Sequence, residues 1–574
     1  MTSAVSSAPP IRHSAWKIWV NPIFRRYCQS RLRFHGLGVA LLIVVLIAGF
    51  IVALVTSIGV GQKMTPSDAV RMGIIPLLVL QGLILFVLGT AQVAGGMTAE
   101  RDEGVIDYQR LIPMTPLSKV LGYLFGLPVR VYVVFLATLP FTAWSMWRGN
   151  VAWNVWLPLY ATVFTSTLLY HFTGLVTGTV VRNRRWAFLV SIGLVFALYT
   201  VIPQMAKFGL VFFKYLTITP VFEESLPKIL PETAGAAVRL AERLLPTVKF
   251  FNLDFSETVF TFFSQGGLIL TFIIMLCRKW RRAESHLLGK LWATGLFIWI
   301  QILLLGNALP LIDPGNLFPS RAFYRMVRVM PDWAPQPIEA VSMSGIYGVV
   351  TLALIFVLAG IITPTAENQI RGWRRARKQG ASSLPRLADA STAFWAVLVM
   401  AIAGAAGWFL FTRALVESRW FPGHVVTLRT LVFFTAVMLT GGVGFQALME
   451  ARGGRVVGLV AIFVGVVPIL TGAVLAPISH RMIPLASWLI GISPISLPVY
   501  APASLLSLAE LPAEAARAVP RAFHFWLLVG GLVMLWLIVR LWAFRSAMAK
   551  SVLATATDGC AGALNDSTPA HPTD

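Results

Sequence analysis

Apolar runs of about 20 residues recur from one end of this chain to the other, and that recurrence decides the fold class. Laid out as an α-helix at 1.5 Å per residue, such a run crosses the ~30 Å hydrocarbon core of a bilayer. Inside lipid every backbone amide and carbonyl must be satisfied by protein, so only helices and closed barrels span. Barrels require alternating polarity, whereas these runs are continuous. Only 12% of the 574 residues are charged and 57% are apolar, while a soluble chain carries about a quarter charged. The chain reads as an all-α, polytopic transmembrane helical bundle.

Twelve spans are predicted, at 36–58, 72–96, 120–144, 152–180, 186–206, 258–277, 288–308, 346–364, 392–412, 428–448, 456–476 and 523–543. The stretch 482–505 is also apolar, but Pro484, Pro494, Pro498 and Pro502 interrupt it, and it is expected to be re-entrant or interfacial on the outer side. About 35 polar and basic residues precede the first run and no small-residue cleavage pattern follows it, as in a signal-anchor helix. The net charge of +23 has an explanation that requires no nucleic acid. With both termini cytoplasmic, Lys and Arg concentrate in the inner segments, most strongly at Arg278–Arg282 and Arg371–Lys378. A thirteenth span at 482–505 would carry Arg540, Arg545 and Lys550 to the outside.

The spans fall into two parallel halves of six. Thr98-Ala99-Glu100 follows the second span and Thr365-Ala366-Glu367 the eighth. Arg182 and Arg185 begin the fifth, Arg452 and Arg455 the eleventh. Gly266-Gly267 and Gly530-Gly531 mark the sixth and twelfth, each pair about 270 residues apart. The expected organisation is a cytoplasmic interfacial segment 1–35, a first half 36–285, a divergent second half 286–550 and a flexible cytoplasmic tail 551–574. Long Pro-rich external segments, 207–257 and 477–522, precede the last span of each half. The first holds a predicted surface helix at 232–245, the second a shorter echo at Pro512-Ala513-Glu514. Cys28, Cys277 and Cys560 lie far apart without metal-ligand spacing and are expected to be reduced thiols.

The stretch Trp16–Phe34 mixes aromatics and bases without an acid, which suits the inner membrane surface. Met97–Gly122 is denser in information. Glu100, Arg101, Asp102 and Glu103 cluster beneath the second span, and Gly104 offers a break. Val105, Ile106, Tyr108, Leu111 and Ile112 then interleave with Asp107 and Arg110, before Pro113 and Pro116 end the element. A short amphipathic helix between two spans, with chain re-entering the membrane at Leu117, is suited to act as a docking lever.

This segment, AERDEGVIDYQRLIPMTPLSKVLGYLFG, resembles the coupling-helix region of type-2 ABC-transporter permeases. Glu100, Arg101, Glu103, Gly104, Asp107, Leu111, Pro113, Thr115 and Ser118 occupy comparable roles, with Pro116-Leu117-Ser118 at the end of the motif. Asn21–Arg33 is similar to that family's opening segment. The resemblance covers about residues 16–285 and implies a separate ATPase chain, holding ATP and Mg, docked on segment 97–119. Family members commonly have six spans and dimerise, whereas this chain looks fused. Its second half replaces the acidic lever with basic Ile370–Lys378, so Glu367, Arg371, Arg374 and Arg375 form a candidate second docking loop of reversed charge. Self-association remains open alongside an intramolecular pair.

No GxxxxGK[ST] phosphate loop, HExxH or GxSxG occurs, so this is expected to be a non-enzymatic transport subunit that binds no cofactor itself. Arg130 and His171, within spans, are the candidate pathway residues. Arg130 is also close enough to the inner end to snorkel, and His171 could instead bond between helices. Gln81, Gln92 and Gln301 carry the same two readings. An exporter in the inner (plasma) membrane is the leading expectation. An ion-gradient-driven transporter with two six-helix repeats is the alternative, and a membrane-embedded transferase using external acids such as Glu223, Glu224, Glu232 and Asp254 is a third. Nothing in the sequence chooses among lipid, polysaccharide, drug and peptide substrates.

Overall fold

A computed structural model describes residues 15–181, 183–230, 248–312, 337–381, 383–418, 420–421, 425–505 and 513–565. The predicted helix at 232–245, Arg182 and Pro512 lie outside the described residues. The chain divides into two compact units, one reaching Ala283 and one beginning at Glu284.

The first unit opens with α1, Pro22–Arg31. Asn21 starts it, its side-chain oxygen accepting from the amides of Ile23 and Phe24, and Pro22 sits where a missing amide costs nothing. The spans follow: α2, Phe34–Gly61; α3, Pro66–Asp102, with a π turn at Leu83–Gly89; then a short α4, Val105–Leu111. Next come α5, Pro116–Gly126; α6, Val129–Arg148; α7, Trp153–Val180; and α8, Arg185–Phe208. A short α9, Thr219–Ile229, and the hairpin β1, Val248–Phe250, with β2, Leu253–Phe255, precede α10, Glu257–Arg281.

The predicted span 120–144 is two helices in the structure. Pro128 supplies no amide, the helix breaks between Gly126 and Val129, and the Leu127 carbonyl at the break accepts from Arg31 Nη1 at 2.9 Å. By length and hydropathy, eleven helices among the described residues can cross a membrane. The predicted span that falls short is α7. Its 28 residues suffice in length, but Thr162, Ser166, Thr167, His171 and Thr173 lower its hydropathy. All five are buried, and α7 packs between α3 and α10, so its polar groups are kept from lipid. By contrast α2 is only 6% buried over its most apolar stretch.

The second unit comprises α11, Lys290–Ile312; α12, Pro337–Ile362; α13, Ala366–Lys378; α14, Phe394–Val416; α15, Leu428–Arg452; and α16, Gly454–Leu475. The Pro-rich stretch that follows is broken into α17, Ile483–Gly491, and α18, Leu497–Leu505. Last comes α19, Ala513–Asn565. Residues 551–565, expected to be a flexible tail, continue this helix.

Both units pack in the same order. The first span meets the third (α2 on α6, α11 on α14), the second meets the fourth (α3 on α7, α12 on α15), and the fourth meets the sixth (α7 on α10, α15 on α19). Each fifth span also contains a π turn followed by a proline: Ala197–Val201 then Pro203, and Ala461–Val466 then Pro468. The protein is an all-α, multi-pass membrane protein.

Candidate docking site

The turn from α3 into α4 is made by Gly104 at φ +73°, a left-handed conformation that a side chain would strain. Thr115 opens α5, its hydroxyl accepting from the Ser118 amide at 3.2 Å, with Pro116 in the first turn. Between these two devices α4 is held as a separate seven-residue helix. Its Ile106 is buried in a cluster with Tyr27, Met97, Leu124 and Trp280. Its opposite face is bare: Tyr108 is 69% and Leu111 82% exposed, with Asp107 beside them pairing with Arg110. Lys119 Nζ donates to the Arg110 carbonyl at 3.2 Å, tying the end of α4 to α5. Burial, and then the Arg110 charge, lower the Lys119 ammonium pKa below the ordinary lysine value.

Glu100 has a different place from the one its position in the motif implies. It is buried at 7% exposure, and its carboxylate accepts from Tyr27 Oη at 2.7 Å, Tyr123 Oη at 3.1 Å and the Arg26 guanidinium. It therefore clamps α3 to α1 and α5 and offers no free charge to a partner. Burial, the neighbouring Tyr123 and the Glu100 bond raise the Tyr27 phenol far above its ordinary pKa, so it stays a donor. The α1–α5 contact is close because Gly122 and Gly126 face α1: a Cβ at Gly126 would lie 2.6 Å from the Tyr27 ring. Asn21 Nδ2 closes the joint on the Ser118 carbonyl at 2.7 Å, and Ser118 is itself buried.

The other motif residues divide by exposure. Arg101 donates to the Gly178 and Thr179 carbonyls at the end of α7, both at 3.3 Å, and pairs with exposed Asp102. Glu103, Pro113 and Thr115 are exposed. Tyr27, Tyr123 and Arg26 belong to the candidate site and were not singled out from the sequence. The four-residue spacing of Gly122 and Gly126 was the available signal of a close helix contact there.

The second candidate loop forms α13, capped by the Thr365 hydroxyl. Arg371 pairs with Glu367 and, at 3.0 Å, with Glu284, while Arg375 meets Glu284 at 2.6 Å. These arginines hold the Glu284 carboxyl below its ordinary pKa. Arg374 points outward without a side-chain partner among the described residues. Buried Gln369 bonds Glu450, a wholly buried carboxylate that also takes Thr392, Gln446 and Arg545. Glu450 thus fastens α13 to α15 and α19, as Glu100 fastens α3 to α1 and α5.

His171 and Arg130 are not brought together. His171 is fully buried, with Nε2 at 3.0 Å from the Leu85 carbonyl in the π turn and Nδ1 at 2.8 Å from Tyr132 Oη. A carbonyl only accepts, so Nε2 carries a proton, and the residue joins α7 to α3 and α6. Gln81 does the same for α3, α6 and α7 through Thr138, Thr142 and Tyr160. Gln301 bonds Tyr347 and Thr351 within the second unit. Arg130, with Gln92, instead lines a cavity of about 1190 Å³ beside the Glu100 clamp. Comparison with protein-family models, with curated proteins and with solved structures gives no match.

Proposed function

We propose that this chain is the membrane-spanning subunit of an ABC-type exporter in the plasma membrane, driven by a separate ATPase that docks on α4. The observation that carries the reading is a short helix hung between two spans, with one face sunk in the unit and the other presenting Tyr108, Leu111 and Asp107. Its clamps to α1, α3 and α5 would pass a displacement at the bare face into the spans as a rigid-body motion. The same packing order and the paired π turns support a duplicated origin, with twelve spans in two parallel six-helix halves and both termini cytoplasmic. Glu100 then belongs to the transmission, and the docking contact rests on the exposed residues.

Purifying the tagged chain in mild detergent tests this. An ATPase present in stoichiometric amount, lost from a Tyr108→Ala/Leu111→Ser variant that is still folded, supports the reading, and its ratio shows whether α13 docks a second copy. Absence of any ATPase, together with transport that stops when the ion gradient is collapsed at constant ATP, replaces it with gradient-driven transport.

A further inference from the structure

The cavity beside the clamp has a polar end and an apolar body. Four arginines line it, Arg26, Arg31, Arg130 and Arg185, against two carboxylates, Glu100 and Glu103. Glu100 is already occupied by Arg26 and two tyrosines. Arg130 spends one nitrogen on the Gly36 carbonyl at 2.6 Å, and the Arg185 guanidinium has no partner among the described residues. A guanidinium carries five N–H donors in a fork that matches phosphate oxygens. The site therefore holds more positive than negative charge, and among the described residues the Arg130 and Arg185 guanidiniums keep unused donors.

Apart from Tyr27, Ser30 and Gln92 the rest of the wall is apolar, with Ile43 and Val44 from α2, Ile84 and Leu88 from α3, and Phe188 and Leu189 from α8. The order along each helix matters. Arg185 begins α8, and Phe188 and Leu189 follow one turn deeper; Arg130 is the second residue of α6, and Val134 lines the cavity one turn further in. Charge at the helix ends with hydrocarbon beyond them is the layout of one leaflet of a bilayer. The volume also exceeds the roughly 300–1,000 Å³ of ordinary small-molecule sites.

We infer that this cavity binds an anionic lipid, its phosphate held by Arg130 and Arg185 and its acyl chains lying along α2, α3 and α8. This rests on the spans alone and is independent of the ATPase reading. The shared chemistry, a phosphate anion, could also come from free phosphate, and the test separates the two sources.

The full chain in detergent is titrated with dioctanoyl phosphatidylglycerol, dioctanoyl phosphatidylcholine and inorganic phosphate, with bound ligand read by native mass spectrometry. The phosphatidylglycerol should bind at least about 10-fold more tightly than the phosphatidylcholine, since each basic group near a lipid headgroup contributes about fivefold. An R130Q/R185Q variant should lose about 30-fold for phosphatidylglycerol, and R130K/R185K should keep affinity within about threefold, by the same reckoning. L88W, which fills the apolar wall and leaves the arginines intact, should weaken both lipids. Equal binding of the two lipids, or unchanged phosphatidylglycerol binding in both R130Q/R185Q and L88W, overturns the site. Displacement of the lipid by equimolar inorganic phosphate also overturns it, reducing it to an anion site.

Discussion

Replacing Glu100 with alanine should loosen α1 while leaving the spans in place. In the folded chain the carboxylate takes three donors. Arg26 is about half exposed and can return to water, so its share is small. The Tyr27 and Tyr123 hydroxyls cannot, and each buried donor left without a partner costs about 1–3 kcal/mol. The local cost is then about 3 kcal/mol, which raises the open population of the α1 joint by about 100-fold. Cys28 lies on α1, and burial lifts its thiol pKa above the ordinary value, so it should react slowly in the parent. In a Cys277→Ser, Cys560→Ser background, maleimide labelling of Cys28 should accelerate by about that factor. Glu100→Gln, which keeps an acceptor, should fall between. Labelling at the parental rate in Glu100→Ala would show that the carboxylate holds nothing together, and the clamp would have to be abandoned.

The exposed face of α4 should behave oppositely: Tyr108→Ala and Leu111→Ser should change thermal stability in detergent by no more than about 0.5 kcal/mol, yet abolish partner copurification. Gly126→Val should overpack the Tyr27 ring and cost about 1–3 kcal/mol, seen as a lower melting temperature. Glu450→Ala should cost about 3–5 kcal/mol by stranding Arg545, and Glu450→Gln less, measured by the same melt. Glu284 has a folded pKa below its ordinary value, so its ties to Arg371 and Arg375 are fully present above the unfolded carboxylate range. They are lost as pH falls through the folded value, and a spin label at Arg374 should gain mobility only there.

Much of this architecture was legible because its causes are local. Continuous apolar runs located the helices, and Gly104, Pro113 and Pro116 bounded α4, since φ preferences and missing amides act on the residues that carry them. The burial of Glu100 was not legible. It depends on Tyr27 and Tyr123, residues far away in sequence whose convergence is a tertiary fact, so an acid read as a surface charge became an internal clamp. The break at Pro128 was passed over because the flanking residues are apolar enough to run on as one span. The π turns leave no mark in composition, and His171 carries two readings in the sequence because burial between helices and exposure to a channel look alike in one dimension.

A seven-residue helix is about 10 Å long and, hung on a glycine, would be a finger that bends when pushed. Because Glu100, Asn21 and the Gly122–Gly126 surface fasten α1 beside it, the part that receives a push is a plate of several helices. A load at Tyr108 and Leu111 is shared with the ground on which Trp16 and Trp19 stand exposed, at 76% and 77%. Those two indoles favour the interfacial layer of a membrane, so in the proposed transporter they would brace the plate at one edge. If α4 takes a load from an ATPase as proposed, the stretch before the first span would be the edge against which that load is turned.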